Sequence, residues 1–486
     1  MNYSVIRYIL GWVMIIEAAF MLMTCVVALI YGESEGFAFL WTLLGATLLG
    51  GLMVFKKPKN MTFYVKEGFV TVALSWIVLS VIGCLPFVFN KEIPNFTDAL
   101  FETISGFTTT GASVLSDVEA MSRCSLFWRC FTNWIGGMGV LVFLLAIVPM
   151  TGGSHMNLMK AESPGPSVGK LVPKVKQTAT ILYGMYIALT VLEVVFLLCG
   201  GMTLYQALTT SFSTAGTGGF GIFNDSFGSV SPYIQWVVGI FLVLFGVNFG
   251  VYFLLIMRRF KQAITHEEMR VYFIIIITAV SLIVINIRDY FDTIGDCIRH
   301  AFFQVASIMT TAGFSSADFN LWPDTSKTVL VLLMFIGACA GSTGGGIKVS
   351  RFIILVKTMI KEITSFLHPR SVKKIKVEGK ALEHETLRAT NVFIITYFLI
   401  FSVSVLLISF EGKGLVTNFT AVAASLNNIG PGLDMVGPMS NFGHFTAFSK
   451  YILMFNMIAG RLELFPMLLL FCPSVWKAKK SNKVEV

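Results

Sequence analysis

Four times this chain interrupts strongly apolar sequence with the same short polar turn. The copies are Thr109-Thr110-Gly111, Thr217-Gly218-Gly219, Thr311-Ala312-Gly313 and Asn428-Ile429-Gly430. Each reads as a small polar residue, any residue, then glycine, followed by a mostly apolar position. Each also follows a short apolar segment and lies between two long ones. Runs of about 20 apolar residues are the length that crosses a bilayer. A polar glycine turn at that depth is tolerated only against protein or water, never against lipid. Four such turns around one axis would make a ring of backbone carbonyls, which can replace a cation's hydration shell.

Composition points the same way. The chain is 55% hydrophobic and 13% charged, outside the range of soluble globular proteins. Its net charge of +9 comes from Lys and Arg in short loops beside apolar runs. That is the positive-inside pattern of a membrane protein and calls for no nucleic acid partner. The eight cysteines form no CxxC pair and read as small buried hydrophobes. The six histidines (His155, His266, His300, His368, His384 and His444) are scattered in or near loops. No cluster at ligand spacing supports an enzyme, and no organic cofactor is expected.

Hydropathy divides the chain into an N-terminal hairpin (1–67) and four units at 68–178, 179–270, 271–388 and 389–486. Each unit reads as helix, short dip, turn and helix. The segment 96–105 is about 15 Å long as a helix and cannot cross. The expected fold is an all-α integral membrane protein of ten spans, both termini cytoplasmic, with the four units pseudo-symmetric. Second spans are expected at 127–148, 234–257 and 451–471. Lys59, the lysines of 151–178 and Lys477, Lys479 and Lys480 mark the inner face. Opposite loops carry Asp98, Glu102, Asp117, Glu119, Asp225, Asp318, Asp324 and Asp434, read as an acidic mouth that concentrates cations.

Within the turns, glycine permits positive φ, so that successive carbonyls can face a common axis. The dip helices aim their negative C-terminal ends at the same place. A second distinctive stretch, Gly341-Ser342-Thr343-Gly344-Gly345-Gly346-Ile347-Lys348, lies inside segment 325–360. As one straight helix that segment would measure about 54 Å against about 30 Å of hydrocarbon, and its glycines favour a break. The unwound loop is a candidate gate. It is not a phosphate loop, because Ile347 separates Gly346 from Lys348 and no Ser or Thr follows the lysine. Arg461, near the middle of the last span, is a functional candidate facing the bundle interior. The loop carbonyls suit it as partners better than Glu463, which projects to another helix face.

The four turns, with AGSTGGGIK at 340–348, LNNIGPG at 426–432 and GRLE at 460–463, resemble the TrkH/KtrB family of potassium transporters. The likeness spans essentially the whole chain and is greatest to the TrkH type, which has two extra N-terminal helices. It implies a potassium-channel-like bacterial inner-membrane protein whose four turns bind K⁺ as the transported ion. Glycine at the third position of every copy then favours K⁺ over Na⁺. Arg461 and the Gly341–Gly346 loop with Lys348 would be the gate. The likeness further implies a homodimer and a cytosolic, TrkA-like ring of nucleotide-binding regulatory subunits, since this chain has no dinucleotide fingerprint of its own. A Na⁺-permeable, or Na⁺- or H⁺-coupled, symporter of the same fold is the alternative. Thr214-Ala215-Gly216 offers another register for the second turn.

Overall fold

The computed structural model describes residues 1–58, 65–139, 175–368 and 374–476. Helices α1 (Tyr3–Tyr31) and α2 (Gly36–Phe55) form an antiparallel hairpin turned at Gly32, φ 68°. They approach closely at two glycines: a methyl group on Gly11 would stand 2.9 Å from the Gly50 carbonyl oxygen. Small residues at such crossings let membrane helices pack backbone to backbone.

The remaining helices follow one order four times. The long helices are α3 (Val65–Phe89), α6 (Val175–Cys199), α11 (Glu267–Ile287) and α15 (His384–Ser409). A short helix follows each: α4 (Phe96–Phe107), α7 (Leu204–Gly216), α12 (Ile294–Met309) and α16 (Leu415–Leu426). Local sequence fixes where three of these begin. Asn95 caps α4 and Thr293 caps α12, while Thr203 and Gln206 make a reciprocal capping box on α7.

A broken helix closes the second, third and fourth sets, and in the first a single helix runs up to where the described residues stop. α5 (Arg123–Met138) ends at Gly139, φ 77°. α8 (Pro232–Phe245) turns by 89° into α9 (Phe249–Ile256), which Asn248 caps. α13 (Asp324–Ile336) is separated from α14 (Val349–Leu367) by the glycine loop. α17 (Ala447–Arg461) stops before α18 (Phe465–Leu470), with Glu463 and Leu464 both at positive φ. Short helices α10 (Phe260–Ile264) and α19 (Pro473–Trp476) and a two-stranded hairpin, β1 (Lys376–Val377) with β2 (Lys380–Ala381), complete the described chain.

The segments expected as spans at 234–257 and 451–471 are each two helices with a break between them, not one straight helix. At the first break Gly246 accepts from Cys339 N–H and Phe249 N–H donates to Gly341, partners in neighbouring protein, the condition for unwinding at membrane depth. At Leu462–Leu464 the backbone bonds stay local, Leu464 N–H donating to Ala459. Six described helices are long and apolar enough to cross a membrane, seven if the bent α8–α9 pair is one span. The 140–148 part of the span expected at 127–148, the lysine-bearing 151–174 stretch, Lys59 and the final lysines lie outside the described residues.

Candidate functional site

All four short helices end in the same backbone device. A residue at or just after the cap lies in the left-handed region: Thr109 (φ 55°), Thr217 (51°), Thr311 (63°) and Asn428 (56°). The next N–H reaches back five residues: Thr110 to Ser105 (2.8 Å), Gly218 to Ser213 (2.9 Å), Ala312 to Ser307 (2.8 Å) and Ile429 to Ala424 (2.8 Å). This is the Schellman closure, which glycine normally makes. A β-branched threonine in that region is a true outlier, costing on the order of 1–3 kcal/mol, and such outliers cluster at functional sites. Two residues on, the left-handed conformation returns at Gly111 (77°), Gly219 (74°), Gly313 (82°) and Gly430 (101°). Thr214–Gly216 are still helical, so the second turn takes the 217–219 register.

The turns meet in a closed cycle. A Cβ on Gly430 would stand 2.7 Å from the Thr110 carbonyl oxygen. One on Gly111 would run into the Gly218 carbonyl, one on Gly219 into that of Ala312, and one on Gly313 into that of Ile429. The middle carbonyl of each turn thus abuts the glycine of its neighbour, in chain order and back to the start. Glycine is required there twice, for positive φ and for close approach. At the first positions, buried Thr109 Oγ1 and Asn428 Oδ1 have no hydrogen-bond partner among the described residues. Asn428 Nδ2 donates to Thr110 Oγ1 (3.0 Å) and to the Met457 carbonyl (2.8 Å).

The glycine loop lies directly against these turns. Gly345 N–H donates to Thr311 Oγ1 (2.6 Å), and a methyl on Gly345 would be 2.6 Å from the Asn427 carbonyl oxygen. Thr343 and Ser342 are buried within it. Lys348 is buried too, with its ammonium donating to the Gly344 carbonyl. Gly341 and Gly346, at φ 71° and 76°, set the loop's corners. Arg461 Nη1 donates to the Thr343 carbonyl (2.8 Å), while Nη2 donates to the carbonyls of Gly136 and Gly137 (2.9 Å to the latter). One guanidinium therefore ties the loop to the end of α5. Glu463 pairs instead with Arg351 (2.6 Å).

Four participants escaped sequence reasoning. Gly136 and Gly137 act only through carbonyls, which leave no trace in side-chain chemistry. Glu268 accepts hydrogen bonds from Ala340 N–H (2.6 Å) and Ser350 N–H (3.1 Å), holding both ends of the loop. In sequence it looks like an ordinary acidic first-turn residue. Arg129 had a readable signal, an ionisable group deep in apolar sequence.

Above the turns is a vestibule of ≈ 130 Å³, bordered by Gly111, Gly219, Gly313 and Gly430. The acids expected at the mouth lie outside the lining of this vestibule. Glu102 is buried against Arg129, Asp98 pairs with Lys450 and Asp324 with Lys327. Asp117 and Glu119 accept from Asn224, Asp318 from Asn320, and Asp434 from Thr417. Among the described residues no cluster of metal-ligating side chains occurs.

Long apolar helices around converging polar turns define a multi-pass membrane transport protein. The sequence profile of the TrkH family, described as a cation transport protein, matches residues 35–479. The Trk system potassium uptake protein TrkH of Salmonella typhimurium is 38% identical, covering 98% of this chain and 100% of that one. The Escherichia coli protein of the same name gives the same values. The crystal structure of the potassium transporter TrkH from Vibrio parahaemolyticus superposes with a TM-score of 0.88 at 33% identity, over 98% of this chain and 100% of that one. The chain belongs to the TrkH family, and it is a transporter and not an enzyme.

Proposed function

We propose that this chain admits K⁺ across the bacterial inner membrane through the ring formed by the four turns. In this reading four pseudo-symmetric repeats and ten spans surround the pore, with both termini cytoplasmic and unit boundaries at 67/68, 178/179, 270/271 and 388/389. Thr109–Gly111, Thr217–Gly219, Thr311–Gly313 and Asn428–Gly430 form the filter. The observation that carries it is the closed cycle of middle carbonyls against neighbouring glycines, each turn holding the same pair of left-handed residues. Carbonyl rings of that kind dehydrate a cation without a formal charge, and the unpartnered Thr109 and Asn428 oxygens add ligands at the inner end. A negative-inside potential contributes about 2.3 kcal/mol per charge per 100 mV.

The glycine loop is the gate, and Arg461, donating to Thr343, is the latch that keeps it under the filter. The relatives are named as parts of a Trk system, which supports control by a cytosolic, nucleotide-binding regulatory ring. The family likeness supports a homodimer, each protomer having its own pore. Reconstitution into liposomes tests the reading. Rubidium-86 uptake should require no second ion gradient and be competed strongly by K⁺ and weakly by Na⁺. Equal competition by Na⁺, or uptake only with an imposed Na⁺ or H⁺ gradient, would establish the symporter alternative instead.

A further inference from the structure

The vestibule's lining contains one charged side chain among the described residues, and its sign is unfavourable for a cation: Arg129. A guanidinium on the approach to the turns repels an incoming ion unless something compensates it. Glu102 meets that need. Its carboxylate accepts from Arg129 Nε at 2.6 Å, and the two side chains are 0% and 3% exposed. Neither residue can be accounted for by packing alone. Glu102, on α4, also accepts from Ser113 Oγ and Val114 N–H, both at 2.9 Å, on the chain leaving the first turn. Arg129, on α5, donates from Nη1 to the Gly221 carbonyl (2.9 Å), on the chain leaving the second turn. Its guanidinium carbon lies 3.8 Å from the Phe220 ring centroid. The third and fourth turns have neutral struts in the same place, Ser307 Oγ to the Phe314 carbonyl and Thr420 Oγ1 to Leu433.

We infer that Glu102 is a positioning residue for ion uptake. It neutralises Arg129 and holds it aside at the outer mouth, so that breaking the pair would obstruct the path by charge. This rests on the K⁺-uptake reading above.

The test uses full-length protein in liposomes and rubidium-86 uptake measured across ion concentration. Glu102→Gln keeps the side-chain shape and exposes the Arg129 charge. It should raise the half-saturating concentration by about tenfold, with a smaller change in maximal rate. Added choline chloride should narrow that gap by screening. The double variant Glu102→Gln/Arg129→Gln buries no charge and should return to within about threefold of the parent, as neutral replacement of a buried pair is tolerated. An ion pair with only a folding role predicts the reverse: the double variant no better than the single, and no effect of salt. That outcome, or an unchanged half-saturation in Glu102→Gln, overturns the inference. Should Glu102→Gln fail to accumulate, the double variant decides alone, since a raised half-saturation there contradicts the proposal. Failure of the parent to take up rubidium would refute the K⁺ reading itself, a distinguishable result.

Discussion

Replacing Arg461 with alanine is the sharpest probe of the proposed gate. The substitution removes the charge-assisted bond to the Thr343 carbonyl that holds the loop beneath the turns, and the two bonds that anchor the same guanidinium to Gly136 and Gly137. Only the first joins latch to loop, so only it enters the gating equilibrium directly. A hydrogen bond from a charged group contributes about 1.5–3 kcal/mol. Loss of that amount from the closed state shifts the open-to-closed ratio by roughly 10- to 150-fold. Where the loop is closed most of the time, unregulated flux should rise by at least about tenfold until the filter becomes limiting. Rubidium uptake into liposomes measures the rate, with K⁺ and Na⁺ competition run in parallel. The competition ratio should stay at the parental value, because the turns keep their own Schellman closures. Arg461→Lys should fall between, since an ammonium lacks the planar fork that reaches both sets of carbonyls. Unchanged flux in a folded Arg461→Ala protein would refute the latch. A changed ion ratio would show that Arg461 shapes the filter instead.

Other substitutions probe the same geometry at separate points. Thr311→Val removes the acceptor for Gly345 N–H and orphans a buried donor at about 1–3 kcal/mol, so flux should rise with little loss of fold; a fall in flux would contradict this. Glu268→Ala frees the N–H groups of both Ala340 and Ser350. The loop should then become more accessible, measured as faster modification of a Thr343→Cys reporter by a thiol reagent than in the same reporter with Glu268 intact. Gly313→Ser places a side chain at φ 82°, 2.7 Å from Pro431 Cδ and against the Ile429 carbonyl. Competition assays should show weaker preference for K⁺ over Na⁺, and retention of the parental ratio would remove the third turn from the filter.

Much of the site was legible because its requirements are local. Short apolar segments at 96–105, 204–213 and 416–425 could not cross, and the structure has helices Phe96–Phe107, Leu204–Gly216 and Leu415–Leu426 there. Glycine at 111, 219, 313 and 430 signalled positive φ, a property of the residue itself. The glycine-rich stretch announced a break between α13 and α14 for the same reason. The break at Gly246–Asn248 was hidden, since its two flanks together are as apolar as a span. There the partner that relieves the unwound backbone comes from elsewhere in the chain: Gly341 accepts from Phe249 N–H, and Gly246 from Cys339 N–H.

Sequence by itself determined that this chain lies in a membrane and that four glycine turns interrupt it, because hydropathy and backbone freedom belong to single residues. It also set the polar first position of each turn. Only the tertiary structure decided which carbonyl faces which glycine, that Arg461 reaches Gly136 and Gly137 as well as Thr343, and that Glu102 meets Arg129 and Asp98 meets Lys450. Those outcomes depend on distances between segments far apart in the chain, and a charge or a carbonyl acquires its partner only when the folded helices bring the two together.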